Sequence, residues 1–300
     1  MVWNCGVWTR VDIKIYRLIA RKIILSTVMY SIVCHRFIKI LCIYAMQTYY
    51  RLLFLISLLF LLEYNVIPNT RFSFKCKDPK ISYTFNGDTI SGKDLLLSVY
   101  FGPFIILVLI EILKENSLKK INFGTVWIYY KRCFIGSMFV LLITEILKGV
   151  VKEPRPHFLD SCKPNSNKIC QAGSLVFEYN CTNDHLSTFY KNDLTRSFPS
   201  GHTSISIFIS LFCSYLIHIR IPSKSVRFLT KPFLIAICLS WSLLCSLSRI
   251  TDRRHHWWDV LGGAALGICG ALYTLHFLHK DVIKSTTCDV KKSQTEEVMK

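Results

Sequence analysis

The sequence predicts an all-α integral membrane protein, with six transmembrane helices packed as a core bundle. Three observations carry this. Hydrophobic residues make up 51% of the 300-residue chain and charged residues only 19%, against about 25% charged in an ordinary soluble domain. The apolar residues gather into runs approaching the roughly 20 residues that a bilayer crossing needs. In so apolar a chain, a net charge of +18, from 37 Lys+Arg against 19 Asp+Glu, points to basic loops flanking membrane spans. A mean hydropathy of +0.35 excludes a disordered chain. No basic stripe lies on a polar segment, so nucleic acid is excluded as a partner.

The spans are read at Leu52–Ile67, Leu95–Leu113, Trp127–Leu147, Thr203–Ile219, Phe233–Leu247 and Val260–Leu278. Glu63 interrupts the first; Glu111, Lys131, Arg132 and Glu145 lie toward the ends of others, where charged side chains reach water. This leaves a basic extension at 1–50, a membrane domain at 51–280 and a polar tail at 281–300, expected to lack order. The apolar runs within the extension are too short to span, and fit an interfacial segment as well as a poorly ordered one. Residues 1–51 carry eight Lys/Arg and one acid, Asp12; the loop after the fourth span carries Arg220, Lys224, Arg227 and Lys231 with no acid. Both are therefore expected in the cytoplasm, with the C-terminus on the same side. The loops 148–202 and 248–259 then face outside or a lumen. The chain's single N-glycosylation sequon, Asn180-Cys181-Thr182, falls on that side.

Among the thirteen cysteines, Cys133, Cys213, Cys238, Cys245 and Cys269 sit in apolar runs and read as small buried hydrophobes. Cys76, Cys162, Cys170 and Cys181 lie in polar loops and are disulfide candidates, with three connectivities open. There is no CxxC pair to suggest zinc or redox chemistry.

Three polar clusters mark span ends: Lys148 to Arg155-Pro156 leaving the third, Pro199-Ser200-Gly201-His202 entering the fourth, and Ser248-Arg249 to His255–Asp259 between the fifth and sixth. Helix counting alone puts all of them on one membrane face. Lys148, Arg155 and Arg249 supply cations, Arg with a planar donor fork suited to phosphate. Ser200 adds a hydroxyl, and Gly201 opens a helix start to an anion. A single cation about 4 Å from a phosphate charge is worth ~4 kcal/mol at an effective dielectric near 20, so phosphate is the expected ligand. His255 and Asp259 stand i, i+4, so the carboxylate is expected to hold one imidazole nitrogen while the other acts as nucleophile or base. His202, with no adjacent carboxylate, is placed to protonate a leaving oxygen. No set of acids for Mg²⁺ accompanies these residues, so metal-independent chemistry without a cofactor is expected. Arg253-Arg254 reads as a solvated pair at lipid headgroups, His256 as a bystander, and Trp257 and Trp258 as interfacial anchors.

Lys148–Pro156 as KxxxxxxRP, Pro199–His202 as PSGH and Ser248–Asp259 as SRxxxxxHxxxD together resemble the type 2 phosphatidic acid phosphatase family, and within it the animal lipid phosphate phosphatases. The likeness extends to Arg155–Asp160, to the loop cysteines and to Lys75-Cys76-Lys77-Asp78, and covers roughly residues 50–280. It implies a core similar to that of vanadium haloperoxidases and acid phosphatases. It implies that His255 becomes a phosphohistidine, Asp259 orients it, and His202 protonates the lipid alkoxide and then activates water. Lys148, Arg155, Ser200, Gly201 and Arg249 would cradle the phosphate. Implied substrates are phosphatidate, lysophosphatidate, sphingosine 1-phosphate and ceramide 1-phosphate. Membrane lipids are the expected surroundings, a homo-oligomer is left open, and the plasma membrane is favoured over the endoplasmic reticulum or Golgi. A lipid phosphotransferase and a non-catalytic phosphatase-like membrane protein are the alternatives. A serine-hydrolase triad is set aside because no GxSxG elbow exists, and a channel because the polar residues sit at span ends instead of mid-membrane.

Overall fold

The computed structural model describes residues 73–115, 121–168, 170–221 and 229–298. All belong to one unit, Ser57–Lys300. The expected first span, Leu52–Ile67, and the basic extension lie outside the described residues.

Five long helices carry the other five spans: α1 (Gly92–Glu115), α2 (Phe123–Val151), α5 (Gly201–Arg220), α6 (Thr230–Thr251) and α7 (Trp257–Val298). Each is long and apolar enough to cross a membrane, α7 through its Trp257–Leu278 part. The protein is a multi-pass membrane protein. Each helix runs past the span expected for it, because apolar runs end before helices do. Asn122, for example, caps α2 by accepting from the Thr125 N–H at 3.1 Å, so the helix starts four residues ahead of Trp127. The tail departs from expectation: α7 continues as helix to Val298.

α5 is the central helix and packs against the other four. It is buried along most of its length, whereas the others are mostly exposed. Phe208, Phe212, Leu216 and Ile217 of α5 are fully buried, as is Ile110 of α1. Phe101, Ile105, Trp127, Phe233, Leu244 and Leu272 point outward, as lipid-facing residues do. Cys269 is also exposed, which corrects its reading as buried; the other four span cysteines are buried as expected. Where α7 crosses α5, Gly263 and Gly267 let backbones meet: a Cβ added at either would stand within 2.5 Å of the Ser200 or Ser204 carbonyl oxygen.

A small cap joins α2 to α5. It holds α3 (Phe158–Cys162), α4 (Thr188–Asp193) and a two-stranded antiparallel ribbon of β1 (Phe74–Lys75) with β2 (Leu175–Val176). Phe74, Phe158 and Tyr179 meet edge to face with centroids 5.2–5.5 Å apart, a favourable aromatic geometry. Disulfides Cys76–Cys170 and Cys162–Cys181 select one of the three open connectivities. Asn180 is exposed on this cap.

Candidate active site

The end of α2, the start of α5, the end of α6 and the start of α7 converge, as helix counting required. The backbone ties them together: the Ser200 N–H donates to the Asp259 carbonyl at 3.0 Å, and the His255 N–H to the Arg249 carbonyl at 3.1 Å. Ser200 is the residue before α5, which begins at Gly201, so the first-turn N–H groups lack helical acceptors. The Ser200 hydroxyl does not cap the helix; it accepts from Thr203 Oγ1 at 3.1 Å. A Cβ on Gly201 would stand 3.5 Å from Lys148 Nζ, so Gly201 faces this lysine.

The expected cations are present, but each is already held by a carboxylate. Lys148 Nζ lies 2.7 Å from Glu145 Oε1, one helical turn away. Glu145 Oε2 takes the guanidinium of Arg196 at 2.5 Å. Glu145, which the sequence placed only as a charge toward a span end, is thus a two-cation anchor. Arg155 donates from Nη2 to Asp193 Oδ1 at 2.7 Å and from Nε to the Asp193 carbonyl at 2.8 Å. Arg249, 2% exposed, pairs with Asp88 at 3.2 Å and Asp252 at 3.1 Å. The site is therefore a set of aimed donors with their counter-ions, not a bare cluster of positive charge. Two acids show the effect. Burial acts to raise Asp88, but the Arg254 hydrogen bond and the charges of Arg254 and Arg249 hold it below the usual carboxylate range. Burial acts the same way on Asp193, and the charges of Arg155, Lys148 and Arg254 hold it down at about 2.

His255 is buried and precedes α7, which starts at Trp257. It therefore does not share a helical face with Asp259 as the spacing suggested. Its Nδ1 is 3.7 Å from Asp259 Oδ2, too far for a hydrogen bond. Ser197, which sequence reading missed, reaches both. Its Oγ donates to Asp259 Oδ2 at 2.6 Å and lies 3.4 Å from His255 Nδ1. The other ring nitrogen, Nε2, lies 3.5 Å from Arg155 Nη1. Burial first, then the charge of Arg155, pulls His255 down to about 3 despite its Asp259 neighbour, so the ring is neutral near pH 7. His202 lies within electrostatic reach of Arg249, His255, Lys148 and Asp88. Its buried Nε2 has no hydrogen-bond partner among the described residues.

Three other readings change. Arg254, expected to be solvated, is buried; it forks onto Asp88 at 2.7 and 2.5 Å and covers the Phe85 ring. His256, read as a bystander, approaches Asp259 Oδ2 at 3.3 Å from Nδ1, and its own N–H donates to the same oxygen at 2.8 Å. Trp258 stacks on His256 with centroids 4.5 Å apart and donates to Glu153 Oε1 at 2.7 Å; Trp257 alone is exposed as an anchor would be. Glu153, His256 and Asp259 bring one ligand atom each within 4.8 Å of one another, a spacing that could hold a cation. Glu153 Oε1 and Asp259 Oδ2 already accept hydrogen bonds from the chain, which fits a polar network better than a metal centre.

Residues 130–283 match the PAP2 superfamily. The chain belongs to this superfamily. Phospholipid phosphatase 1 of Mus musculus is 30% identical over 216 residues, covering 67% of this chain and 74% of that protein. Phospholipid phosphatase homolog 1.2 homolog of Caenorhabditis elegans is 29% identical, covering 68% and 64%. Phospholipid phosphatase 2 of Mus musculus is 26% identical, covering 71% and 77%. No solved structure gives a significant match. The matched region begins inside α2 and contains every motif residue from Lys148 to Asp259.

Proposed function

We propose that this PAP2-superfamily protein is a lipid phosphate phosphatase that hydrolyses phosphomonoesters through a phosphohistidine, without a metal. The observation that carries this reading is the division of labour on His255. Nδ1 faces Ser197 and Asp259, while Nε2 lies beside the Arg155 guanidinium. A neutral imidazole fixed on one side and open beside a phosphate-binding donor is prepared for attack.

His255 Nε2 attacks phosphorus as the phosphorus–oxygen bond to the lipid breaks. Protonated His202 gives its proton to the leaving alkoxide. Its unpartnered Nε2 suits this exchange. Water then attacks the phosphohistidine. His202 takes the water's proton, the phosphorus–nitrogen bond breaks and inorganic phosphate leaves. Lys148, Arg155, Arg249, the Ser200 hydroxyl and the Gly201 N–H hold the phosphate oxygens while charge builds on them. Phosphatidate, lysophosphatidate, sphingosine 1-phosphate and ceramide 1-phosphate share the one feature this pocket reads, a terminal phosphate on a lipid. The two disulfides support a cap in an oxidising space, and with it a site on the outer or luminal face, most simply at the plasma membrane.

The test is phosphate release from phosphatidate micelles by the full chain in excess EDTA, beside His255→Ala. Release that persists in EDTA and vanishes in the variant is expected. If the folded protein releases no phosphate from any of the four lipids, the reading fails, and a headgroup-transfer assay tests the phosphotransferase instead.

A further inference from the structure

The segment Asp88-Thr89-Ile90 precedes α1 and belongs to none of the three motifs, yet it bonds directly to the third. Asp88 Oδ1 accepts from Arg249 Nη1 at 3.2 Å and from Arg254 Nε at 2.7 Å. Asp88 Oδ2 accepts from Arg254 Nη2 at 2.5 Å. The Ile90 carbonyl accepts from Arg249 Nη2 at 2.7 Å. Thr89 donates twice to Asp252, from its N–H at 2.7 Å and its hydroxyl at 2.6 Å, and Asp252 in turn holds Arg249 Nη2 at 3.1 Å. The segment is itself anchored. The Phe85 N–H donates to Asp160 Oδ2 at 3.1 Å, and the Phe85 ring stacks on His157 at 4.7 Å, beneath Arg254.

Count the donors on Arg249. A guanidinium has five N–H groups. Nε uses one on Ser248 Oγ at 3.2 Å. Nη2 uses two, on Ile90 and Asp252, and Nη1 uses one on Asp88. One N–H, on Nη1, is left over among the described contacts. Asp88 thus fixes which way the remaining donor points. It does the same at a distance for Arg155, whose Nη1 donates to the Arg254 carbonyl at 3.3 Å: the residue that Asp88 clamps by its side chain supports Arg155 by its backbone.

We propose that Asp88 is a positioning residue of the phosphate site, aiming Arg249 at the phosphate and holding the Arg254 turn against Arg155. This rests on the phosphatase reading above. A carboxylate lying against phosphate-binding arginines could instead compete with the incoming anion, and the two roles predict opposite signs. Removing a competitor tightens anion binding; removing an aiming group weakens it.

The experiment measures orthovanadate and inorganic phosphate binding by titration calorimetry, together with kcat and KM on phosphatidate, for the full-length wild type, Asp88→Asn and Asp88→Glu. For Asp88→Asn, kcat/KM is expected to fall by about a hundredfold, the scale of a misplaced catalytic donor. Vanadate and phosphate should bind at least about tenfold more weakly, with partial recovery in Asp88→Glu. Tighter anion binding by Asp88→Asn would overturn the proposal in favour of a competing counter-ion. A lowered melting temperature with unchanged anion affinity would overturn it in favour of a structural tie alone. Anion binding is read without turnover. A wild type that binds vanadate but releases no phosphate would therefore sink the phosphatase reading and leave the positioning claim to the calorimetry.

Discussion

Ser197 Oγ donates to Asp259 Oδ2 at 2.6 Å, and this hydroxyl, more than the carboxylate, faces His255 Nδ1. The carboxylate holds the serine, and the serine holds the ring at Nδ1. Removing the hydroxyl leaves Nδ1 facing a carboxylate 3.7 Å off, so the ring loses its alignment toward phosphorus. Ser197→Ala should lower kcat by about ten- to a hundredfold, the usual cost of losing a support behind a reactive imidazole, with KM little changed because Ser197 does not touch phosphate. Ser197→Thr, which keeps the hydroxyl, should recover most of it. An unchanged kcat in Ser197→Ala would mean that Asp259 closes on His255 directly during turnover.

Acid should destabilise the fold well above the range where carboxylates titrate. Burial pulls His157 down to about 4 and His255 to about 3, while in the unfolded chain both sit near the ordinary value of about 6.5. Both pKa values are depressed by folding, so their stabilising contribution is full above about 6.5 and is lost as pH falls toward 4 and then 3. Between those limits the unfolded state holds the extra protons, and each histidine contributes at most about 1.4 kcal/mol per pH unit. Thermal unfolding in detergent should show a melting temperature that falls steadily from pH 7 to pH 5. His157→Gln should remove part of that dependence, without moving the kinetic effect of His255→Ala. A melting temperature flat across this interval would contradict the burial of both rings.

The sequence was most informative where chemistry and spacing are local. Lys148, Arg155, Ser200, Gly201, His202, Arg249 and His255 all reach one surface because helix parity demands it. Some of their counter-ions come from distant parts of the chain. Asp88 lies 161 residues from Arg249 and Asp193 lies 38 from Arg155, and no periodicity links positions joined only by folding. Glu145 was within reach, since it stands three residues before Lys148 on one helix. Ser197 also left a trace, as a small hydroxyl two residues before Pro199-Ser200-Gly201-His202. Arg254 misled for a physical reason: two adjacent arginines after a span look like headgroup contacts, and only the return of the Asp88 segment buries one of them. His256 carries no i+4 carboxylate, and the turn before α7 brings it to Asp259 at i+3.

Close packing between α5 and α7 gives the last prediction, because it couples stability to the site. A Cβ on Gly263 would fall 2.5 Å from the Ser200 carbonyl oxygen, and one on Gly267 2.4 Å from that of Ser204. Backbone atoms cannot rotate aside, so the helices must separate, at an overpacking cost of about 1–3 kcal/mol. The two sites differ in what moves. The Ser200 carbonyl accepts from the Ser204 N–H at 3.0 Å, and Ser200 opens the helix that carries Gly201 and His202. Gly263→Ala should therefore lose stability and also raise KM for lipid phosphate. Gly267→Ala, one turn farther along α7, should lose similar stability with KM largely kept. Gly102→Ala on α1 supplies the control: among the described residues nothing lies within 4 Å of its added Cβ, and alanine favours a helix over glycine by roughly 0.5–1 kcal/mol, so this variant should be as stable as the parent or slightly more. Melting temperatures and KM for the three variants, measured side by side, separate crowding at the helix crossing from a general intolerance of added methyl groups. If Gly263→Ala and Gly267→Ala behave like Gly102→Ala, the close approach of α5 and α7 is refuted, and with it the means by which α7 fixes Ser200 in the candidate site.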